Sequence, residues 1–390
     1  MEALLWFAVA SILYTYAGYP VLLFFLSSLR QLRSDWAYVS HGRSRRAAAA
    51  ATPPSVAVLV AAFNEERHIG ERIRNLLAAG YPADRLRIYV GSDGSDDRTS
   101  EILRSIADTR LVFIDSKFRR GKPSVINDLA AMASEDILVF TDANTEFAAE
   151  TVSHLVRHFD DQTVGCVSGE LRLTAEEGGE NLDHVYWRYE RLLKFHEARI
   201  DALLGANGGV YAVRRRYYRA VPADTIVDDF WISMEVIRSG KRCVYDPEAV
   251  ALERVPARVR DEFRRRVRIG IGNYQALVHF APLMHPKAGY LALAFFSHKV
   301  LRWMVPHLMI AALVANAALC TDSFFYGALL AAQIAFYGAA AAGHWQSRRG
   351  TAAGTLRMPL FFVAMNLALL LGFWRYVSGQ YSGAWARTAR

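Results

Sequence analysis

Four stretches of this chain are apolar over nearly the thickness of a bilayer, and they sit at its two ends. Between Met1 and Leu29 the only charge is Glu2, and Ala3 to Leu26 is mostly apolar. Three more stretches follow near Val300–Leu319, Phe324–Ala342 and Met358–Tyr376. A helix of about 20 apolar residues crosses the hydrocarbon core. The first stretch lacks the basic start and small-residue cleavage site of a signal peptide. Buried core helices would explain one of the later stretches more readily than three in a row. Arg302, near the start of its stretch, can snorkel to the interface. Spans are therefore expected at 1–29 and, as a group of three, within 299–379.

Lys and Arg placement sets the orientation. Arg30, Arg33, Arg43, Arg45 and Arg46 follow the first span, and Arg348, Arg349 and Arg357 lie between the third and fourth. The loop around Thr321-Asp322 carries no basic residue. One consistent solution puts the middle of the chain and the Arg348 loop in the cytoplasm and both termini outside. Arg375, Arg387 and Arg390 pull the other way. The net charge of +8 is largely this membrane-proximal arginine, so no nucleic-acid partner is needed to explain it. Cys166, Cys243 and Cys320 are isolated, with neither metal spacing nor a pairing pattern. That fits a reduced cytoplasmic core.

The middle has a different rhythm. After an Arg- and Ala-rich linker (30–52), Pro53-Pro54 opens a folded region. Strands are predicted over 55–62, 86–90, 111–114 and 136–140, and helices over 65–79, 98–106 and 122–132. This alternation implies an α/β domain over 53–255 with a mostly parallel sheet covered on both faces. Amphipathic interface helices are expected over 256–298, and a short tail over 380–390. Ligands of such sheets bind at the carboxyl ends of the strands. There the chain places Asn64-Glu65-Glu66, then Ser92-Asp93-Gly94-Ser95-Asp96-Asp97, then Asp142-Ala-Asn144. Alternate residues of an extended segment point the same way, so Asp142 and Asn144 can face one hard cation. The Gly-rich fingerprint of a nicotinamide dinucleotide site is absent after the first strand.

Taken in order, Ala62-Phe-Asn-Glu-Glu66, Ser92-Asp-Gly-Ser95, Gly121-Lys-Pro-Ser-Val-Ile-Asn127, Asp142-Ala-Asn144 and Val227-Asp-Asp229 resemble family-2 inverting glycosyltransferases. The likeness is to their membrane-integrated branch, with the cellulose, hyaluronan, chitin-oligosaccharide and poly-N-acetylglucosamine synthases, and covers about residues 53 to 280. The resemblance implies a GT-A-type fold, a nucleotide-sugar donor and a divalent cation, Mg2+ or Mn2+. It implies that Asn64, Glu65 and Asp93 contact the base and ribose, and that Lys122 lies near the nucleotide. It further makes Asp142 and Asn144 the metal motif and Asp229 the catalytic base. Two departures stand out. Asn144 replaces a carboxylate, so its amide oxygen coordinates without adding charge. In the run Arg265-Arg-Val-Arg268-Ile269, only Arg268 is retained from the Gln-x-x-Arg-Trp motif of processive members.

The chemistry explains the residue types. Departure of a diphosphate builds negative charge, which a cation or a basic clamp such as Lys122 and Arg268 stabilises. The attacking alcohol needs a base within hydrogen-bond reach, and the apolar neighbours of Asp229 would raise its pKa. Asp228 is expected to cap a helix over Phe230–Arg238 or to lie on the acceptor side. Trp187 and Gly205 are the other acceptor-side candidates, with ordinary packing and a simple turn as the competing explanations. The six arginines between Arg258 and Arg268 also suit an anionic membrane surface. The expectation is a multi-pass enzyme of the inner cell membrane with its catalytic domain in the cytoplasm. It would move a UDP-linked sugar to a lipid or glycan acceptor. A non-catalytic nucleotide-sugar sensor or scaffold is the rival, drawn from Asn144, Arg265 and Ile269.

Overall fold

The computed structural model of the chain describes residues 1–41, 52–174, 182–254, 259–349 and 354–381. It divides into two compact units. The sheet-bearing unit is drawn from Ser27–Gly179 and Lys194–Ala257, and the helical unit from Met1–Leu26, Glu180–Leu193 and Arg258–Tyr381.

The strands of the first unit are β1 (Val56–Ala62), β2 (Leu86–Asp93), β3 (Leu111–Ser116), β4 (Ile137–Asp142), β5 (Thr145–Phe147), β6 (Val164–Thr174), β7 (Tyr211–Arg214) and β8 (Arg242–Arg254). They form one eight-stranded sheet in the order β3-β2-β1-β4-β7-β6-β8-β5. The half made of β3, β2, β1 and β4 is parallel, as the alternating sequence predicts. β7 then runs antiparallel to β4 and to β6, and β5 antiparallel to β8. Every residue of β1 is buried, because helices cover both faces of a parallel sheet.

The helices, in chain order, begin with α1 (Glu2–Leu13), α2 (Tyr19–His41), α3 (Ile69–Leu77), α4 (Thr99–Arg104), α5 (Lys122–Met132), α6 (Thr151–Val156), α7 (Leu182–Arg199) and α8 (Asp228–Arg238). On one face of the sheet Val56, Val58, Val60 and Ala62 pack with Ile69, Ile73 and Leu76 of α3 in the main core. On the other, Phe140 stacks nearly parallel on Tyr211, its direct cross-strand partner, with 4.6 Å between ring centres. α5 lies against β1 and β2. It comes so close to β2 that a Cβ on Gly91 would stand 2.3 Å from Val125 Cγ1. A glycine is needed there for the approach, and the approach carries Lys122, at the head of α5, to the carboxyl edge of the sheet.

The helical unit continues with α9 (Val259–Phe280), α10 (Tyr290–Ala294), α11 (Leu301–Leu319), α12 (Phe324–Arg348) and α13 (Arg357–Val377). Four segments among the described residues are long and apolar enough to cross a membrane: Glu2–Ser40, Tyr290–Leu319, Phe324–Arg348 and Gly354–Val377. Small residues let them approach closely. Ala8 packs with Ala312 and Ala315 between α1 and α11, and a Cβ on Gly372 of α13 would meet the Gly270 backbone of α9 at 2.8 Å. The buried Glu190 of α7 is satisfied within this unit by Arg302 and by His298 at 3.5 Å. An unpaired carboxylate there would be costly.

Three boundaries differ from the sequence reading. Helix continues through Arg30 to His41, so the basic segment starts as helix, while Arg43, Arg45 and Arg46 lie outside the described residues. The second candidate span starts as continuous helix at Tyr290, ahead of the expected Val300, because a π-helical turn over Phe295–Val300 joins α10 to α11 without a break. Helix α8 begins at Asp228, not after it.

Candidate active site

The carboxyl ends of β1, β2 and β4 supply the site. At the end of β1 the backbone of Asn64 takes a left-handed conformation (φ 56°), which Asn tolerates better than most residues. This turns its side chain toward the segment after β2: Asn64 Oδ1 accepts the Asp96 N–H at 3.0 Å, and the Asn64 N–H donates to Ser95 Oγ at 3.1 Å. The Glu65 N–H donates to Thr99 Oγ1 at 2.8 Å. Asp93 ends β2 fully buried. Its two carboxylate oxygens accept the backbone N–H groups of Arg120 (2.7 Å) and Gly121 (2.8 Å). In this geometry Asp93 anchors the loop ahead of α5. Gly94 keeps the anchor tight: its φ is +69°, and a Cβ would meet Arg119 N at 2.9 Å. Beside this loop the Arg119 guanidinium lies over the Phe63 ring, 3.9 Å from its centre.

The charged centre lies one strand over. Lys122 Nζ donates to Asp142 Oδ1 at 2.8 Å and stands 3.3 Å from Asp228 Oδ2. One ammonium thus bridges the end of β4 and the start of α8. Burial works against the charged ammonium, but Asp142 and Asp228 outweigh it and hold its pKa above the ordinary lysine range. Asp229, the next residue of α8, accepts the Phe230 N–H on Oδ1 at 2.8 Å. Burial, then Asp228, push Asp229 up to about 6, against the pull of Lys122. The roles expected of the two aspartates are therefore partly exchanged. Asp228 makes no capping hydrogen bond and pairs with Lys122, while Asp229 holds the N–H at the helix start. A helix N-terminus also favours negative charge.

The Gly205–Gly209 segment wraps this centre. Gly205 has φ +78°, and a Cβ there would meet the Phe230 ring at 2.6 Å. A Cβ on Gly208 would stand 2.8 Å from Asp229 Oδ2, and one on Gly209 2.9 Å from Thr145 Cγ2. The glycines are thus more than turn residues: side chains at these positions would displace the Asp229 carboxylate or the turn after Asp142.

Sequence reasoning missed Glu253 and Arg72. Asn144 Nδ2 donates to Glu253 Oε1 at 3.2 Å, which leaves the Asn144 carbonyl oxygen as its available ligand atom. Glu253 is on β8, remote in sequence, and gave no local signal. Arg72 is 3% exposed and donates to Thr141 Oγ1 at 2.6 Å. Burial lowers its guanidinium to about 9, against Asp142 and Glu146. A signal for Arg72 did exist: it interrupts the buried face that Ile69, Ile73 and Leu76 define. Arg268 is half-buried on α9, in the helical unit, and the Trp187 side chain lies outside the described residues.

Two features bear on whether a divalent cation could be held here. Asp142 and Asn144 supply hard oxygen ligands, and the Lys122 ammonium already rests against Asp142 as a stand-in positive charge. Among the described residues no group of three or more His, Cys, Asp or Glu could hold a metal alone. Such an ion would need phosphate oxygens to complete its shell, as Mg2+ commonly does.

Carboxylates and a lysine thus gather at the switch from the parallel to the antiparallel half of one sheet, where ligands of such sheets bind. Residues 57–221 match the family described as Glycosyl transferase family 2. The chain is 25% identical over 234 residues to a poly-beta-1,6-N-acetyl-D-glucosamine synthase of Staphylococcus aureus (strain COL), covering 57% of this chain and 55% of that protein. It is 26% identical over 258 residues to an N-acetylglucosaminyltransferase of Rhizobium leguminosarum bv. viciae, covering 62% and 60%. The matched regions thus span little more than half the length of these curated relatives. A mannosyltransferase from Pyrobaculum calidifontis, solved in complex with GDP-Man and Mn2+, superposes with a TM-score of 0.72 at 22% identity, over 97% of this chain and 99% of that one. That likeness fixes the fold class as GT-A-type with accompanying apolar helices.

Proposed function

We propose that this protein is a membrane-bound inverting glycosyltransferase. It takes a sugar from a nucleotide-sugar donor at the cytoplasmic face of the cell membrane and joins it to a hydroxyl of a lipid or glycan acceptor. The observation that carries the reading is the meeting of Lys122, Asp142, Asp228 and Asp229 at the carboxyl edge of the sheet. A lone carboxylate pair would be ordinary. A bridging ammonium beside a carboxylate raised to about 6 suits departure of an anionic leaving group on one side and proton removal on the other.

Asp229 takes the proton of the acceptor hydroxyl as that oxygen attacks the anomeric carbon. The bond to the diphosphate oxygen breaks on the opposite face, so an α-linked donor gives a β-linked product. Lys122 turns its charge to the departing diphosphate. A divalent cation, when bound through Asp142 and Asn144, would neutralise part of that same charge. Arg268 is proposed as a further positive group for the diphosphate, and Asn64 and Glu65 as the nucleoside side of the pocket. Asp93 serves that side through the loop it anchors. Trp187, Gly205 and Asp228 are proposed on the acceptor side.

We take the donor to be a UDP-sugar and the product to feed a surface polysaccharide or glycolipid. The name of the Staphylococcus aureus relative supports a polymer, whereas the altered run Arg265–Ile269 supports one transfer to a lipid-linked acceptor. Purified protein in detergent, given radiolabelled UDP- and GDP-sugars with membrane lipids, separates these readings. Label should enter a lipid or glycan fraction, and a sizing gel gives the product length. Tight donor binding without turnover under any of these conditions would point to the sensor or scaffold instead.

A further inference from the structure

Arg72 is a charged group in the core that the reaction scheme does not use. Its Nη2 donates to Thr141 Oγ1 at 2.6 Å, and its Nη1 donates to Asn75 Oδ1. Its guanidinium lies over the Phe147 ring, 4.3 Å from the centre. Asn75 in turn trades hydrogen bonds with the Phe147 backbone, both at 2.9 Å. Arg72 therefore holds both sides of the turn that carries Asp142 and Asn144.

Thr141 extends this hold to the other half of the site. Its hydroxyl donates to the Gly209 carbonyl oxygen at 2.8 Å and stands 2.7 Å from Thr145 Oγ1, which donates to the Asp142 carbonyl oxygen at 2.9 Å. A threonine hydroxyl has one proton, and a guanidinium has only donors. Arg72 therefore donates into the Thr141 oxygen, and the one hydroxyl proton of Thr141 has the Gly209 carbonyl and Thr145 Oγ1 as its acceptors. That carbonyl belongs to the segment whose Gly208 makes room for Asp229 Oδ2. Arg72, Thr141 and Thr145 are each 3% exposed, so water does not compete for these bonds.

We infer that Arg72 is a positioning residue: acting through Thr141, it fixes the turn bearing Asp142 against the Gly205–Gly209 segment on which Asp229 is seated. Its Nε has no hydrogen-bond partner among the described residues. A buried guanidinium left partly unsatisfied is a poor device for stability alone, and an apolar side chain would fill the face of α3 with Ile69 and Ile73. What an apolar residue lacks is a donor aimed at Thr141. The kinetic part of this inference rests on the glycosyltransferase reading; the seating of the segment does not.

The test uses the full-length protein with Arg72→Met, Thr141→Val, Thr141→Ser and the Arg72→Met/Thr141→Val pair. Thr141→Val keeps the shape and deletes the hydroxyl, and Thr141→Ser keeps the hydroxyl. Thr141→Val and Arg72→Met should each lower kcat about a hundredfold, the scale of a misplacement near 1 Å. Affinity for UDP or GDP with Mn2+ should change less than about threefold, since one wall of the pocket is intact. Thr141→Ser should work within about threefold of the parent, and the double variant no worse than Arg72→Met, since both remove one relay. Independently of turnover, amide exchange in the peptide spanning Gly205–Gly209 should quicken about tenfold in Thr141→Val but not in Thr141→Ser. If the parent moves no sugar from any donor, the function falls and this exchange comparison alone decides the inference. Parental exchange in Thr141→Val overturns it, as does parental kcat, and so does equal loss in Thr141→Ser. Should Arg72→Met fail to fold, the two Thr141 variants decide between these outcomes.

Discussion

The pH dependence of transfer follows from the surroundings of Asp229. Burial and the Asp228 carboxylate carry it from 3.8 to about 6. Only the unprotonated form can accept the hydroxyl proton. With a midpoint about 6, roughly nine-tenths of the enzyme carries the base at pH 7 and about one-tenth at pH 5. Transfer measured as kcat/KM should therefore fall about tenfold between pH 7 and pH 5. For stability the sign is opposite. The folded-state pKa is raised, so the group costs nothing below about 3.8; its cost grows between about 3.8 and about 6 and is constant above that. The neighbours give a directional check. Lys122→Met removes a cation that lowers Asp229, so the midpoint should move up; Asp228→Asn removes an anion that raises it, so the midpoint should move down. Asp229→Asn keeps the size, removes the basicity and should cost about a hundredfold or more in rate, with donor affinity nearly unchanged. The assay is label transfer at subsaturating donor across this range, with nucleotide binding measured in parallel. A flat profile from pH 5 to 7, shifts of the same sign in the two neighbour variants, or parental transfer by Asp229→Asn would refute the reasoning.

Further outcomes can be checked on the same preparation. Gly208→Ala places a methyl 2.8 Å from Asp229 Oδ2, closer than the two can stay; transfer should drop about tenfold or more while the melting temperature moves little, and parental transfer would break the assignment of that wall. Asp142→Ala and EDTA should each abolish turnover, with Asn144→Ala milder because an amide adds no charge; full activity in EDTA would remove the cation from the scheme. Lys122→Met should bind Mn2+ more tightly than the parent in the absence of donor, as read by electron paramagnetic resonance, since the ammonium no longer competes for Asp142. Reporter fusions at Ser347 and Arg390 should lie on opposite sides of the membrane; both on one side would change the number of spans.

Much of the architecture is local and therefore legible in the chain. The apolar stretches mark four candidate spans because a bilayer demands length and hydropathy from each helix alone. The parallel half of the sheet reads from its rhythm, since each strand is an apolar run followed by a periodic helix. The same rhythm puts Asn64, Asp93 and Asp142 at strand ends before any fold is known. What the rhythm could not give is pairing between distant strands. β7 lies beside β4, and β5 beside β8, through backbone hydrogen bonds that leave no mark in periodicity.

Tertiary structure decided the roles within the site, because a role depends on which partner arrives. Asp93 reads from the chain as a strand-end carboxylate; only the fold shows that it also accepts two N–H groups of the loop ahead of α5. Asp228 at a helix start could cap it, but Lys122 reaches it first. Gly208 is one glycine among several until the start of α8 brings Asp229 against it. Arg72 shows the division most plainly. From the chain it is an arginine on an apolar helix face; only the packing of α3 under β4 shows a donor aimed at Thr141 and, through it, at the segment beside Asp229. The sequence determined what each segment is, because apolar burial and backbone hydrogen bonding act residue by residue. The fold decided what each polar group does, because a hydrogen bond reaches only about 3 Å and depends on what packing brings there.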